Sequence, residues 1–175
     1  RLERAGRIAE AVAAYEHLLR RWPNHPDSWY NLAVLQRKAG RFAAALASYD
    51  QALAHGVSRP EEVHLNRGVI FSDCLRREDE AMKELRAALA LNPAYVPALF
   101  NLANLMTDLG EREGAIATYE QLLAVDPQCA EGLARYADLK RVAGRDDALV
   151  GRLREAIARR GATAGSSRWS TSRRP

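Results

Sequence analysis

The sequence predicts an all-α fold, a solenoid of antiparallel helix pairs stacked side by side. Three observations predict it. Bulky residues recur as Tyr15, Tyr49, Leu85, Tyr119 and Leu153, at intervals of 34, 36, 34 and 34. Small residues keep step as Ala11, Ala45, Ala81 and Ala115, with Leu149 in the fifth place. Gly6, Gly40, Gly110 and Gly144 punctuate a turn in four of five units, and Pro23, Pro93 and Pro127 close three. A fixed period of this length marks a repeated helix–turn–helix unit that cannot bury its apolar face alone.

The register places second helices near 7–21, 42–55, 77–91, 112–125 and 146–160, and first helices near 27–39, 60–75, 95–109 and 130–143. Trp29, Leu99 and Leu133, with Leu32, Leu102 and Tyr136, form an apolar i, i+3 stripe on the first helices. Ala33, Gly68, Ala103 and Ala137 are small on the first helix, as Ala45, Ala81 and Ala115 are on the second. Such pairs let helix axes approach while larger neighbours interlock around them. Gly40, Gly110 and Gly144 follow a first helix, where a left-handed residue stops it. Pro93 and Pro127 cannot continue a second helix. The third unit is expected to be irregular. One residue is added before it, in HGVSRP, and one in its inner turn, CLRRED, which lacks Gly; Val57 stands where other units have Pro.

These units resemble the tetratricopeptide repeat family over about residues 5–160. The fourth, ALFNLANLMTDLGEREGAIATYEQLLAVDP, and the second, SWYNLAVLQRKAGRFAAALASYDQAL, carry the resemblance most clearly. It implies a right-handed superhelix of about four and a half units, spanning roughly 1–25, 26–59, 60–94, 95–128 and 129–160. Residues 161–175, rich in Gly, Ser, Thr and Arg, read as a disordered basic tail.

Charge and composition exclude several functions. The formal charge of +4 is uneven, because residues 135–175 carry 11 Lys and Arg against 4 Asp and Glu. The preceding residues are mildly acidic, unlike a nucleic-acid binder with basic residues gathered on one face. No apolar run approaches the length of a membrane span. Cys74 and Cys129 match no redox or ligand spacing, which fits a cytoplasmic protein. His17, His25, His55 and His64 lack metal spacing, and no Gly-rich phosphate loop or activated nucleophile is present. Glu78, Asp79 and Glu80 suit a helix N-terminus rather than a catalytic pair. The expectation is a chain without catalytic residues, cofactor or metal.

The informative residues lie on first helices, which line the concave side of such a stack. Asn31, Asn66 and Asn101 recur at intervals of 35, with Arg135 in the same slot of the last unit. Asn is a poor helix former, so its repetition in mid-helix needs a reason. An amide column can pair with the backbone of an extended peptide; equally, each side chain can bond its own helix or the neighbouring repeat. The column is similar to the asparagine ladder in the repeat domain of O-linked N-acetylglucosamine transferases. Helical spacing adds Tyr30, Arg37, Lys38, Asn104, Asp138 and Arg141 as peptide-groove candidates, with Asp27, Val34, Asp73 and Asp108 beside them. Only Arg37, Lys38, Arg135 and Arg141 supply positive charge, too scattered for a clamp on a C-terminal carboxylate.

The leading expectation is a protein-interaction module that takes an extended peptide or partner domain in its groove. A second is the non-catalytic arm of a larger transferase. The run EEVHLNRGVIFSDCLRREDEA with ELRAALALNPAYVPALFNLANL resembles repeats that precede a sulfotransferase domain in some bacterial proteins. A third is a scaffold that pairs with a second copy through uncapped ends, involving Ile8, Val12 or Leu153.

Overall fold

Helix starts follow the punctuation in the sequence. A computed structural model describes residues 2–140 and residues 151, 152, 154 and 155, and no strand occurs among them. The elements are α1 (Leu2–Arg21), α2 (Pro26–Lys38), α3 (Phe42–Ala54), α4 (Pro60–Val69), α5 (Glu78–Leu91), α6 (Val96–Asp108), α7 (Arg112–Val125) and α8 (Ala130–Lys140). A single π-helical turn, Ile70–Leu75, continues α4. Pro26, Pro60 and Pro97 sit in the first turns of α2, α4 and α6, where a missing N–H costs nothing. Residues 151, 152, 154 and 155 are helical; the rest of the expected helix 146–160, with Leu149, Gly144 and the tail 161–175, lies outside the described residues.

The chain divides into two compact units, Arg1–Pro93 and Ala94–Pro175. In the first, α2 packs on α3 and α4 on α5, while α1 lies against α2 and α3 meets α4. In the second, α6 packs on α7, and α7 on α8. The expected small residues mark the closest contacts. Ala33, Ala45, Ala81, Ala103 and Ala115 are wholly buried. A Cβ added at Gly68 would lie 3.0 Å from Leu85 Cγ and 3.4 Å from the Ala81 carbonyl oxygen, so this pair is closed as tightly as its atoms permit. Leu32, Leu85 and Leu99 fill the space around these contacts, each worth roughly 1.5–3 kcal/mol when buried.

Gly40 and Gly110 adopt φ of 75° and 79° after α2 and α6, as their turn positions require. Gly6 does not mark a turn. It lies inside α1, because the good helix formers Leu2, Glu3, Arg4 and Ala5 carry the helix through it. The residue added in HGVSRP closes α3 in a different way from the proline units. Gly56 turns left-handed at φ 75°, and the buried Val57 donates its N–H to the Ala52 carbonyl at 3.0 Å. An apolar residue is needed there, since its side chain seals the helix end.

The second added residue is wound into the helix rather than looped out. The expected helix 60–75 is α-helical only to Val69; the π turn then absorbs one extra residue by lengthening its hydrogen-bond ring. Arg76 takes the place held by glycine elsewhere, at φ 55°, and Arg77 N–H closes the turn on the Phe71 carbonyl at 2.9 Å.

The same repeat breaks the apolar stripe. His64 and Arg67 occupy the slots of Trp29 and Leu32. Arg67 pairs with Asp50 of α3 and, at 2.9 Å, with Glu84 of α5; His64 Nδ1 lies 2.7 Å from the other oxygen of Glu84. An ionic joint thus replaces an apolar one between α3, α4 and α5. Burial pushes the Glu84 carboxyl up, but hydrogen bonds from His64 and Arg67 outweigh it and hold the group below the usual carboxylate range.

Gly110→Ala and Gly40→Ala should each lower unfolding free energy by about 1–2 kcal/mol in urea titrations, through left-handed strain. Arg76→Gly should leave stability level or raise it by a few tenths of a kcal/mol, since relief of that strain opposes glycine's larger chain entropy. For Glu84, whose folded pKa is depressed, the stabilisation is present above about pH 4.3 and is lost as pH falls through the folded value. Glu84→Gln should therefore cost about 1.5–3 kcal/mol at pH 7, with wild type and variant converging below about pH 4 in pH-dependent melting.

Candidate interaction surface

The polar slots on the first helices of unit 1 converge on one strip. Asn66 in α4 donates from Nδ2 to the Glu62 carbonyl at 2.9 Å, one turn back, and to the Tyr30 hydroxyl in α2 at 3.3 Å. A backbone carbonyl only accepts, so the amide nitrogen must face it and Oδ1 must face away. Asn66 consequently ties two repeats together, with Oδ1 turned away from its own helix backbone. The Tyr30 ring then lies 5.8 Å from the Tyr49 ring of α3, tilted by 59°.

Tyr49 is wholly buried, and its hydroxyl makes no well-formed hydrogen bond, with only the Arg37 side chain reaching toward it; the buried Nε of Arg37 has no partner either. Burial drives the Tyr49 phenol well above its ordinary pKa, with the nearby Arg37 charge opposing it. Burial, then the Glu62 charge, also raises Tyr30. Cys74 of the π turn feels the Arg37 charge as well: partial desolvation, then the Asp73 charge, raise its thiol, and Arg37 opposes them. Asn31, Asp27 and Lys38 are exposed on α2, and Val34 is half-buried there.

Unit 2 carries a related strip with its hydrogen bonds closed. Tyr119 stands in the Tyr49 slot, edge-on to Phe100 at 6.3 Å. Its hydroxyl donates to Asn104 Oδ1 at 2.7 Å. Unit 1 has Val34 in the Asn104 slot, which leaves Tyr49 without that acceptor. Burial pushes Tyr119 up to about 12, with Arg135 opposing and Asp108 assisting. Asn101 Nδ2 donates to the Pro97 carbonyl at 2.8 Å. Arg135 and Asp138 are exposed on α8; Arg141 lies outside the described residues. The amides are therefore not a uniform column of free groups. Asn66 and Asn101 spend donors on their own helices, Asn104 holds a tyrosine, and Asn31 is the exposed member.

Sequence reasoning missed Glu62 and the buried polar position on second helices, and it read Tyr49 only as buried bulk. Ser48 donates to Gln36 Oε1 at 2.8 Å, and Thr118 in the same slot meets Met106 Sδ at 3.6 Å. Glu84 fills that slot in the third repeat. The signal was available: Ser48, Glu84 and Thr118 recur at the common period on an otherwise apolar face.

A cavity of about 470 Å³ opens beside α1, lined by residues that include Ile8, Val12, Glu16, Lys38 and Arg41. Val12 does not serve as an open end. It is 3% exposed and packs with Leu19 and Leu32, because α1 spends that face on α2. Ile8 is half-buried beside it, and Leu153 lies outside the described residues. Among the described residues no cluster of three metal-ligating side chains occurs, and no helix is long and apolar enough to cross a membrane.

The two tyrosines should respond oppositely to loss of the hydroxyl. Tyr49→Phe should raise unfolding free energy by about 1 kcal/mol, since it removes an unpartnered buried group; Tyr119→Phe should lower it by about 1 kcal/mol, both read from denaturant midpoints.

No curated protein matches the sequence. Among solved structures, MamA superposes with a TM-score of 0.74 at 21% identity, over 91% of this chain and 92% of that one. PilF of Pseudomonas aeruginosa gives 0.70 at 22%, over 95% and 72%. YrrB, described as a TPR protein with an unusual peptide-binding site, gives 0.65 at 17%, over 90% and 80%. These likenesses are of fold, and the resemblance to a sulfotransferase-linked arm finds no support in them. Two family profiles, each described as tetratricopeptide repeat, match residues 1–71 and 76–141. With both matched stretches built from the helix pairs described above, the chain belongs to the tetratricopeptide repeat family.

Proposed function

We propose that this chain is a protein-interaction module, not a catalyst, and that it docks an extended peptide segment on the first-helix face of unit 1. The observation that carries the reading is the bridge from Asn66 to Tyr30, 3.3 Å long, which joins α2 and α4 into one polar and aromatic surface. On that surface Asn66 Oδ1 is turned away from its own helix backbone, and the exposed Asn31 lies next to Tyr30 on α2. A rigid helix pair behind it holds these groups in place without further ordering, which favours binding. Membership of a repeat family supports the reading, as does the peptide-binding site named for the structurally similar YrrB.

The test is selection of 12-residue peptides from a random display library, followed by affinity measurement on the purified full chain. Enriched peptides should lose at least tenfold in affinity with Tyr30→Ala, while helicity by circular dichroism stays within a few per cent. Asn66→Ala should weaken the same peptides by a smaller factor, since its amide acts partly through Tyr30. Absence of any enriched peptide, or equal binding by Tyr30→Ala, would remove this face from the function.

A further inference from the structure

One cation on the unit 1 face has no counter-charge. Tyr30, Val34 and Arg37 stand at i, i+4 and i+7 of α2, and so share one side of that helix. Arg37 is half-buried, and its Nε is shut off from water without a hydrogen-bond partner. Its side chain lies beside the buried Tyr49 hydroxyl. A guanidinium carries several N–H donors and does not deprotonate, so its partial burial costs free energy until an acceptor of opposite charge answers it. Other arginines of this unit have such an acceptor: Arg41 holds Glu16, Arg67 holds Glu84 and Arg77 holds Glu80. Arg37 enters no ion pair among the described residues. Asp73, the acid of the π turn, accepts from Ser72 Oγ at 2.8 Å instead.

The packing itself does not require this charge. The repeat register matches Asn31 with Asn101 and Val34 with Asn104, so Arg37 corresponds to Thr107. Thr107 is neutral and donates to the Ala103 carbonyl of its own helix at 2.8 Å, yet Tyr119 is buried as fully as Tyr49. A helix C-terminus favours positive charge, but the exposed Lys38 supplies that in the same last turn. What Arg37 adds is a planar fork, braced beside a buried tyrosine. Such a fork matches the two oxygens of a carboxylate and loses little freedom on pairing. A lone guanidinium suits a singly charged carboxylate, whereas a phosphate dianion calls for a cluster of cations.

Building on the docking role proposed above, we infer that Arg37 is a specificity-determining residue of the unit 1 face, and that the docked segment presents an aspartate or glutamate side chain to its guanidinium.

The peptide selection described above, repeated on full-length wild type, Arg37→Gln and Arg37→Glu, tests this. The wild-type pool should concentrate Asp or Glu at one aligned position. Arg37→Gln should lose that preference, and Arg37→Glu should replace it by Lys or Arg. In the most enriched wild-type peptide, changing the acid to its amide should weaken binding about tenfold by fluorescence anisotropy, as expected for one charge-assisted hydrogen-bonded pair. The same change should alter binding to Arg37→Gln by less than about twofold, and should still cost about tenfold on Lys38→Gln. Arg37→Lys keeps the charge and stem beside Tyr49 and should reduce the cost to about threefold, a comparison that holds even if Arg37→Gln fails to fold. A pool with no preferred acidic position would overturn the inference and leave peptide docking standing. So would an acid whose removal costs the same on wild type as on the Arg37 variants. An empty selection on wild type would overturn the docking role as well.

Discussion

Everything in this protein depends on how closely each second helix approaches its first. Ala33 and Ala45, Gly68 and Ala81, and Ala103 and Ala115 put small residues at corresponding slots, and all six are buried. At Gly68 the approach is so tight that even a methyl group would force Leu85 to move. Close contact brings the large side chains of both helices into mutual packing, and dispersion over many such atoms adds to the burial of apolar surface. It also sets how the polar residues on the outer slots of the first helices are presented. The outer face of each pair can be rigid because the pair behind it cannot open without exposing a fully buried side chain.

Within that regular plan, the third repeat is an exception with a consistent character. Its first helix carries a π turn, its terminating residue is a left-handed arginine, and its apolar stripe is replaced by His64 and Arg67. These departures occur together for a reason. An inserted residue rotates the end of a helix by about 100°, which would swing the apolar face away from its partner unless the extra residue is absorbed locally. The π turn absorbs it, so Ile70 and Phe71 remain buried. The ionic joint contributes orientation more than net stability, because desolvation of buried charge offsets much of the attraction. Its geometry is nonetheless specific: Glu84 reaches both His64 and Arg67 only if α4 and α5 hold one register.

The tyrosines show how a single neighbouring residue changes the chemistry of a conserved shape. Tyr49 and Tyr119 fill the same slot, are equally buried, and each meets an aromatic ring on the first helix. Asn104 supplies an acceptor to one, and Val34 withholds it from the other. Unit 2 therefore closes this hydrogen bond internally, while in unit 1 the Tyr49 hydroxyl has the Arg37 side chain beside it instead. The interaction surface proposed for unit 1 follows from that difference rather than from the repeat itself.

Periodicity in the chain was enough to establish helix pairs, their approximate limits, the small contact residues and the site of irregularity, since each follows from local spacing and backbone preference. Gly40 and Gly110 were legible as left-handed turns for that reason, and Asn66 and Asn101 as residues that needed an explanation. The direction in which each amide spends its hydrogen bonds was not legible, because Tyr30 and Asn66 are 36 positions apart and meet only when two repeats stack. Nor could spacing reveal that Arg67 finds Asp50 and Glu84, or that Glu62 belongs to the same surface as Tyr30. Local sequence determines which way a helix runs and where it stops; which polar groups remain unspent depends on neighbours brought together by packing, and only the folded chain decides that.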